Sequence, residues 1–133
     1  RKSRKDRRTA KLMHADLVKL GYDGSYPASD PRVIAVTAVD AAKRLYRKAN
    51  TGAEVDFAAP GVDLLVPRRH GSAYRTGTSY AAAVASGLIA QELARGPVSR
   101  EALIARLRDR AQDLGTAGRD SRFGWGLLQV PGC

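Results

Sequence analysis

A chain of 133 residues with 44% hydrophobic and 27% charged residues is long enough for one domain with a core, and this balance excludes an intrinsically disordered protein. The single cysteine, Cys133, excludes an internal disulfide and a Cys-X-X-Cys metal site. No apolar run has the length and composition of a membrane span.

The formal net charge of +10 is concentrated in the first eleven residues. Residues 1–11 hold seven basic residues and one Asp, a net of +6, and the other 122 residues hold 16 basic and 12 acidic residues, a net of +4. Such a run could bind nucleic acid or an acidic lipid surface, or it could be a solvated tail. We favour the tail, because no aromatic residue alternates with the charges as in a single-strand binder.

Three strands are predicted after a short helix-like stretch that contains His14. Val33–Asp40 is a continuous apolar run rich in β-branched residues, which is typical of a strand buried on both faces of a parallel sheet. A turn at Asn50-Thr51-Gly52 separates it from a second strand near residues 55–58. Pro60-Gly61 then predicts a sharp turn into another short strand.

A helix is predicted from about Ser79 to Ala94. The run holds strong helix formers and almost no polar face, which indicates a buried helix. Ser79 would then lie on its first turn, at the positive end of the helix dipole, which favours developing negative charge. Two structural alternatives are open: Thr78-Ser79 could be a helix N-cap, and Ser86-Gly87 could serve helix dimerisation through small residues.

The C-terminal third predicts one more helix and a closing segment. Arg95-Gly96-Pro97 ends the preceding helix, and Ser99 is a good N-cap for an amphipathic helix that runs to about Arg110. The last segment, Phe123–Val130, contains an aromatic-Gly-X-Gly-Leu-Leu sequence.

Four blocks in this order resemble the subtilases, the subtilisin-like serine peptidases. The nucleophile motif is Gly77-Thr78-Ser79-X-Ala81 followed by Gly87, with Ala83 where the family usually has Pro. The other three blocks are Tyr26-Pro27-Ala28 with the strand that follows, Val55–Leu64, and Phe123–Leu128. The resemblance implies an α/β fold, namely the C-terminal portion of a subtilisin-like fold with a parallel sheet and a buried nucleophile helix. It covers residues 26–130, whereas residues 1–25 form a basic leader that does not match the family and that we interpret as foreign sequence.

The resemblance also implies the site residues. Ser79 would be the acyl-forming nucleophile, and Ser25, Tyr26, Pro27 and Ala28 would form one wall of the substrate pocket, with a cis peptide bond at Tyr26-Pro27. In the family the catalytic Asp and His and an oxyanion Asn precede these blocks, and this sequence has none of their motifs. The resemblance implies a structural role for Asp56, and His70-Gly71-Ser72 only superficially resembles the family's catalytic His motif.

The resemblance implies a serine-type endopeptidase that acts on peptide or protein substrates, with Ser79 carried by this chain. We expect the full-length protein to be secreted or periplasmic, and we expect this chain alone to be inactive without the N-terminal half of the same domain. No cofactor and no metal ligand are predicted, although the family fold allows calcium in the full-length protein. The alternatives are a catalytically dead scaffold and a basic nucleic-acid-binding module that uses residues 1–11.

Overall fold

The structure is a computed structural model that describes residue 30 and residues 32–130. The chain divides into two units, Arg1–Val33 and Ile34–Cys133. In the first unit, Arg32 Nη2 lies 2.6 Å from Asp30 Oδ2, and the hydrogen bonds that Arg32 donates lower the pKa of Asp30 to about 2. The predictions for residues 1–28, including His14, the pocket wall and the Tyr26-Pro27 bond, lie outside the described residues, as does Cys133.

The second unit is built around two short parallel strands, β1 (Val36–Val39) and β2 (Phe57–Pro60). Val36 is opposite Phe57 and Val39 is opposite Pro60, so the pairing is in register over all four residues. On the other side of β2, Ala58 N donates to Gly126 O at 2.8 Å and Leu128 N donates to Ala58 O at 2.9 Å. The closing segment therefore packs back onto the sheet as a short parallel extension.

Both faces of this sheet are buried, as the continuous apolar run predicts. One cluster covers the face toward the two helices and the other covers the face toward the chain's closing segment. The first contains Ala38, Phe57, Ala59, Ala81, Ala85, Leu88, Leu103, Leu107 and Leu128. The second contains Val39, Ala58, Phe123 and Leu127.

A β-hairpin follows β2. Pro60-Gly61 turns the chain into β3 (Leu64–Pro67), which pairs antiparallel with β4 (Ser72–Arg75). A hydrogen bond from Arg68 N to Gly71 O, 2.8 Å long, closes the tip. The described part of this sheet has only these two strands, and one of its faces is exposed.

The first described helix, α1 (Thr78–Leu93), begins and ends within one residue of its predicted bounds, but it is not buried all round. Its buried residues Ala81, Ala85, Leu88 and Glu92 form one stripe, spaced as on one face of a helix. The opposite face is made of small residues that are exposed: Ala82, Ala83, Ser86, Gly87 and Ala90. The prediction of a buried helix is therefore not confirmed in the described part of the chain, because the narrow sheet covers only one face of α1.

The second helix, α2 (Arg100–Arg110), agrees with its prediction. Ser99 is its N-cap, and the Ser99 hydroxyl accepts a hydrogen bond from Ala102 N at 3.2 Å. Leu103 and Leu107 are buried against the first cluster. Arg108 and Arg110 lie in the last turn, where their positive charges interact favourably with the negative end of the helix dipole.

Candidate active site

Two contacts with the Pro60-Gly61 turn fix the chain just before Ser79. Gly77 N donates to Gly61 O at 2.8 Å. One residue earlier, the Thr76 hydroxyl accepts a hydrogen bond from Asp63 N at 2.9 Å and donates to Asp63 Oδ1 at 3.1 Å. The start of α1 is thus tied to the end of β2, so the sheet sets the position of Ser79.

Gly61 lies where three parts of the site meet. A Cβ at this position would be 2.7 Å from Ala38 Cβ, 2.9 Å from Gly77 O and 3.0 Å from Ala81 Cβ. These atoms belong to β1, to the residue before the helix and to the first turn of the helix. Only glycine lets strand, turn and helix approach this closely.

The Ser79 side chain has no structural role at the helix start. The N-cap of α1 is Gly77, and no side chain makes a capping hydrogen bond there. This excludes the N-cap alternative for Thr78-Ser79. Ser79 is exposed, and within the described residues no hydrogen bond involves its hydroxyl. Its Oγ is therefore a solvent-accessible hydroxyl on the second residue of a sixteen-residue helix.

Gly77 leaves the approach to this hydroxyl open. Its φ of 165° is extended backbone that any residue can adopt, so conformational freedom does not explain the glycine. A Cβ on Gly77 would fit without a clash, in van der Waals contact with Ser79 Oγ at 3.4 Å and with a carbon of the Tyr80 ring at 3.6 Å. A side chain at this position would cover one side of the nucleophile.

His70 and Ser79 are at opposite ends of strand β4. His70 is exposed at the hairpin tip, and the four residues of β4 extend roughly 13 Å from the tip toward the helix. This placement agrees with the interpretation that His70 is not the base.

Asp56 is engaged in structural contacts. Its Oδ2 accepts a hydrogen bond from Ala35 N at 2.9 Å, and its Oδ1 accepts one from Arg119 Nη2 at 3.1 Å. The same guanidinium donates to Ala53 O at 2.9 Å. Asp56 thus ties the residue before β1 to the segment that enters β2, which agrees with the predicted structural role. Arg119, sixty-three residues away in sequence, gave no sequence signal.

The contacts made by Asp63, Thr76 and Gly61 could not be predicted from the sequence either. Pro60-Gly61 was interpretable only as a turn, and the one local signal at Asp63 is its position after that turn. Asp63 adopts a φ of 51°, a left-handed conformation that Asp tolerates better than most residues.

No group of three or more His, Cys, Asp or Glu side chains in residues 30 and 32–130 is arranged to hold a metal ion. The helices of that same part lack the length and hydropathy that a membrane crossing requires.

Comparison with known proteins gives evidence about the family of this chain that does not depend on the geometry of the site. A sequence profile of the subtilase family matches residues 16–126, and this match begins inside the 1–25 segment. Over 82% of its length the chain is 38% identical to the minor extracellular protease Epr of Bacillus subtilis, and over 79% it is 35% identical to the subtilisin of Bacillus pumilus. The crystal structure of MycP1 from Mycobacterium smegmatis superposes on 77% of the chain with a TM-score of 0.66 and 30% identity.

The chain spans only part of each of these proteins. It aligns with 18% of Epr, 38% of the subtilisin and 30% of MycP1.

Proposed function

The chain belongs to the subtilase family, and from this we propose that it carries the nucleophile of a serine-type endopeptidase, Ser79. One observation supports the assignment above all others. In the Gly-Thr-Ser motif the serine hydroxyl is exposed at the start of a helix and makes no hydrogen bond within the described residues. A serine that only stabilised the helix would accept a capping bond.

The proposed reaction is acyl transfer. Ser79 Oγ forms a bond to the peptide carbonyl carbon while its proton passes to a base. The C–N bond then breaks, the proton passes to the departing amine, and water later releases the acyl group. The Ser79 N–H, on the first turn of α1, is suited to donate to the oxyanion, because the first amides of a helix have no acceptor within it.

We propose that the base and its orienting carboxylate come from another segment of the same domain. The exposed small-residue face of α1 supports such a partner. Ser86 Oγ already donates to Ala82 O at 2.8 Å, so Ser86 does not need a hydrogen-bond acceptor from a neighbouring segment. A Cβ on Gly87 would have no atom within 4 Å, which leaves room for a closely packed segment. We therefore propose that the rest of the catalytic domain packs on this face.

Secretion of the full-length protein is proposed from the relatives. Epr is named an extracellular protease, and so is the halolysin-like serine protease Nep of Natrialba magadii, which is 33% identical over 75% of the chain. A peptide or protein in the extracellular medium would be the substrate.

The test is fluorophosphonate labelling and casein hydrolysis, carried out both on this chain and on the full-length protein. In the full-length protein Ser79→Ala should abolish labelling and hydrolysis, while the matched control Ser86→Ala should keep both. The 133-residue chain alone should hydrolyse casein poorly or not at all, since the serine needs a base within hydrogen-bond reach. Undiminished activity of Ser79→Ala would refute the assignment, and an inactive full-length wild type would favour the catalytically dead scaffold.

Gly87→Ala tests the proposed packing separately. In this chain alone it should leave stability unchanged or raise it by up to about 1 kcal/mol, because alanine favours a helix over glycine. In the full-length protein the added methyl group should clash with the packed segment and lower the unfolding temperature. An identical effect in the two proteins would contradict the packing proposal.

A further inference from the structure

We propose that the outward face and tip of the β3–β4 hairpin form a docking surface for an extended, acidic polypeptide segment that carries an apolar side chain. We call Leu65, Tyr74, Arg68, Arg69 and His70 the hairpin surface. None of these residues has a part in the proposed acyl transfer.

An apolar pair lies at the centre of this surface. Leu65 and Tyr74 are directly opposite each other in the antiparallel register. The two residues are 60% and 67% exposed, the two highest values among the exposed large hydrophobic residues of the described part of the chain. Cross-strand neighbours are close enough to form one continuous patch. A Tyr beside a Leu is well suited to hold a single apolar side chain of a partner, since tyrosine is enriched at binding hot spots.

The charge beside this pair is of one sign. Arg68, Arg69 and His70 line an open depression at the hairpin tip. From residue 64 to residue 91 the sequence contains Arg68, Arg69 and Arg75 and no Asp or Glu. None of the ion pairs found in the described residues involves these three arginines. The chemistry that complements this tip is a pair of carboxylates, which arginine binds with good geometry.

The spacing of the two features defines the partner more closely. Leu65 and Arg68 are three residues apart along an extended chain, roughly 10 Å. An extended polypeptide has the same rise per residue and alternates its side chains, so carboxylates two and four positions from its apolar residue face the same side and bracket this distance. An extended partner could also pair with a strand edge, because the described sheet has only two strands. A nucleic acid would match the charge and could stack one base on Tyr74, but it would leave the exposed Leu65 without an apolar partner, so we favour the polypeptide.

Fluorescence anisotropy of the full chain with labelled peptides tests this proposal without any cleavage step, so its result does not depend on the peptidase assignment. The probe is a Gly/Ser peptide with one Phe and two Glu placed two and four residues from it, on the same side of an extended chain. Arg68→Gln/Arg69→Gln should weaken binding roughly threefold to tenfold, the range expected for two exposed ion pairs. Leu65→Thr/Tyr74→Thr, which keeps strand-forming residues, should weaken it to a similar degree. The matched control Arg47→Gln/Lys48→Gln removes two exposed charges from the loop after β1 and should leave binding unchanged.

The peptide itself provides a test that does not need a folded variant. Replacing its Glu residues by Lys, or moving them to the far end, should abolish or strongly weaken binding to the wild-type chain. Arg68→Glu/Arg69→Glu should then bind the Lys peptide. Equal loss in the Arg47/Lys48 control would show only general charge attraction and overturn the proposal. Absence of peptide binding, or tighter binding of a single-stranded oligonucleotide at the same sites, would overturn it too.

Discussion

The buried carboxylate of Glu92 should make Arg110 important for stability. The Glu92 side chain is 1% exposed, and Arg110 Nη2 lies 2.5 Å from its Oε1. Arg95 Nη1 is farther away, at 3.7 Å, on a side chain that is 54% exposed. Neither carboxylate oxygen accepts a hydrogen bond of good geometry in the described residues, so the contact with Arg110 is an ion pair alone. Glu92 lies on α1 and Arg110 on α2, so this pair joins the ends of the two helices.

The two partners should respond differently to removal. Breaking a buried ion pair by deleting one partner costs about 3–5 kcal/mol, because the other charge stays buried. Arg110 is 32% exposed and Arg95 remains nearby, so we expect Arg110→Met to lower the free energy of unfolding by less, about 2–3 kcal/mol. Glu92→Leu removes the buried charge and frees Arg110 to reach water, so it should be neutral or stabilising by about 1 kcal/mol.

Urea unfolding followed by circular dichroism measures these differences. The double variant Glu92→Leu/Arg110→Met should recover most of the stability that Arg110→Met loses, because no charge is then left buried. Arg106→Met, at an exposed position of the same helix, is the matched control and should change stability by less than about 0.5 kcal/mol. If Arg110→Met is as stable as that control, or if the double variant is no better than Arg110→Met, the carboxylate is not buried in the way described.

Three further predictions concern the loops. Gly124→Ala should destabilise the chain by more than about 2 kcal/mol, because the φ of Gly124 is +61° and a Cβ there would overlap the backbone of Asp56. The control Gly118→Ala has a φ of +82° but open space around it, so it should cost only about 1 kcal/mol in the same urea experiment. Burial raises the pKa of Asp120, but hydrogen bonds from three backbone N–H groups outweigh the effect of burial and hold the pKa below 3.8. Asp120 therefore contributes to stability above pH 3.8, and this contribution is lost as the pH falls through the pKa of the folded state. A pKa of Asp120 at or above 3.8, measured by NMR titration, would contradict this. Thr76→Val removes both hydrogen bonds to Asp63, so it should lower kcat of the full-length protein several-fold with KM nearly unchanged, and a kcat equal to wild type would show that this contact does not position the helix.

The sequence predicts the elements whose cause is local. The run of β-branched residues around Val36–Val39 predicts a doubly buried strand because a strand needs apolar residues on both faces only when both are covered. Ser99 predicts the start of α2 because its hydroxyl caps the nearby amide of Ala102. In both cases the residues that determine the element lie within the element itself.

The exposed face of α1 could not be predicted, because burial depends on what lies beside a helix. Ala82, Ala83 and Ala90 are as apolar as Ala81 and Ala85, and only the second pair contacts the sheet. The composition of the helix would allow packing on two opposite faces, and the described residues pack on only one of these faces. The same reason hides contacts of large sequence separation, such as the hydrogen bond from Arg119 to Asp56.

Stability does not explain why serine occupies position 79. Alanine is a better helix former, and the Ser79 hydroxyl neither caps the helix nor makes a hydrogen bond in the described residues. By contrast, two neighbours of Ser79 have clear structural reasons: Gly61 allows close packing, and Thr76 anchors the turn. Ser79 is thus held by a rigid backbone, but its own side chain does not stabilise that backbone. This arrangement is expected for a reacting group. Ser79→Ala should therefore leave the free energy of unfolding within about 0.5 kcal/mol of wild type, and a larger loss would mean that the hydroxyl has a structural role after all.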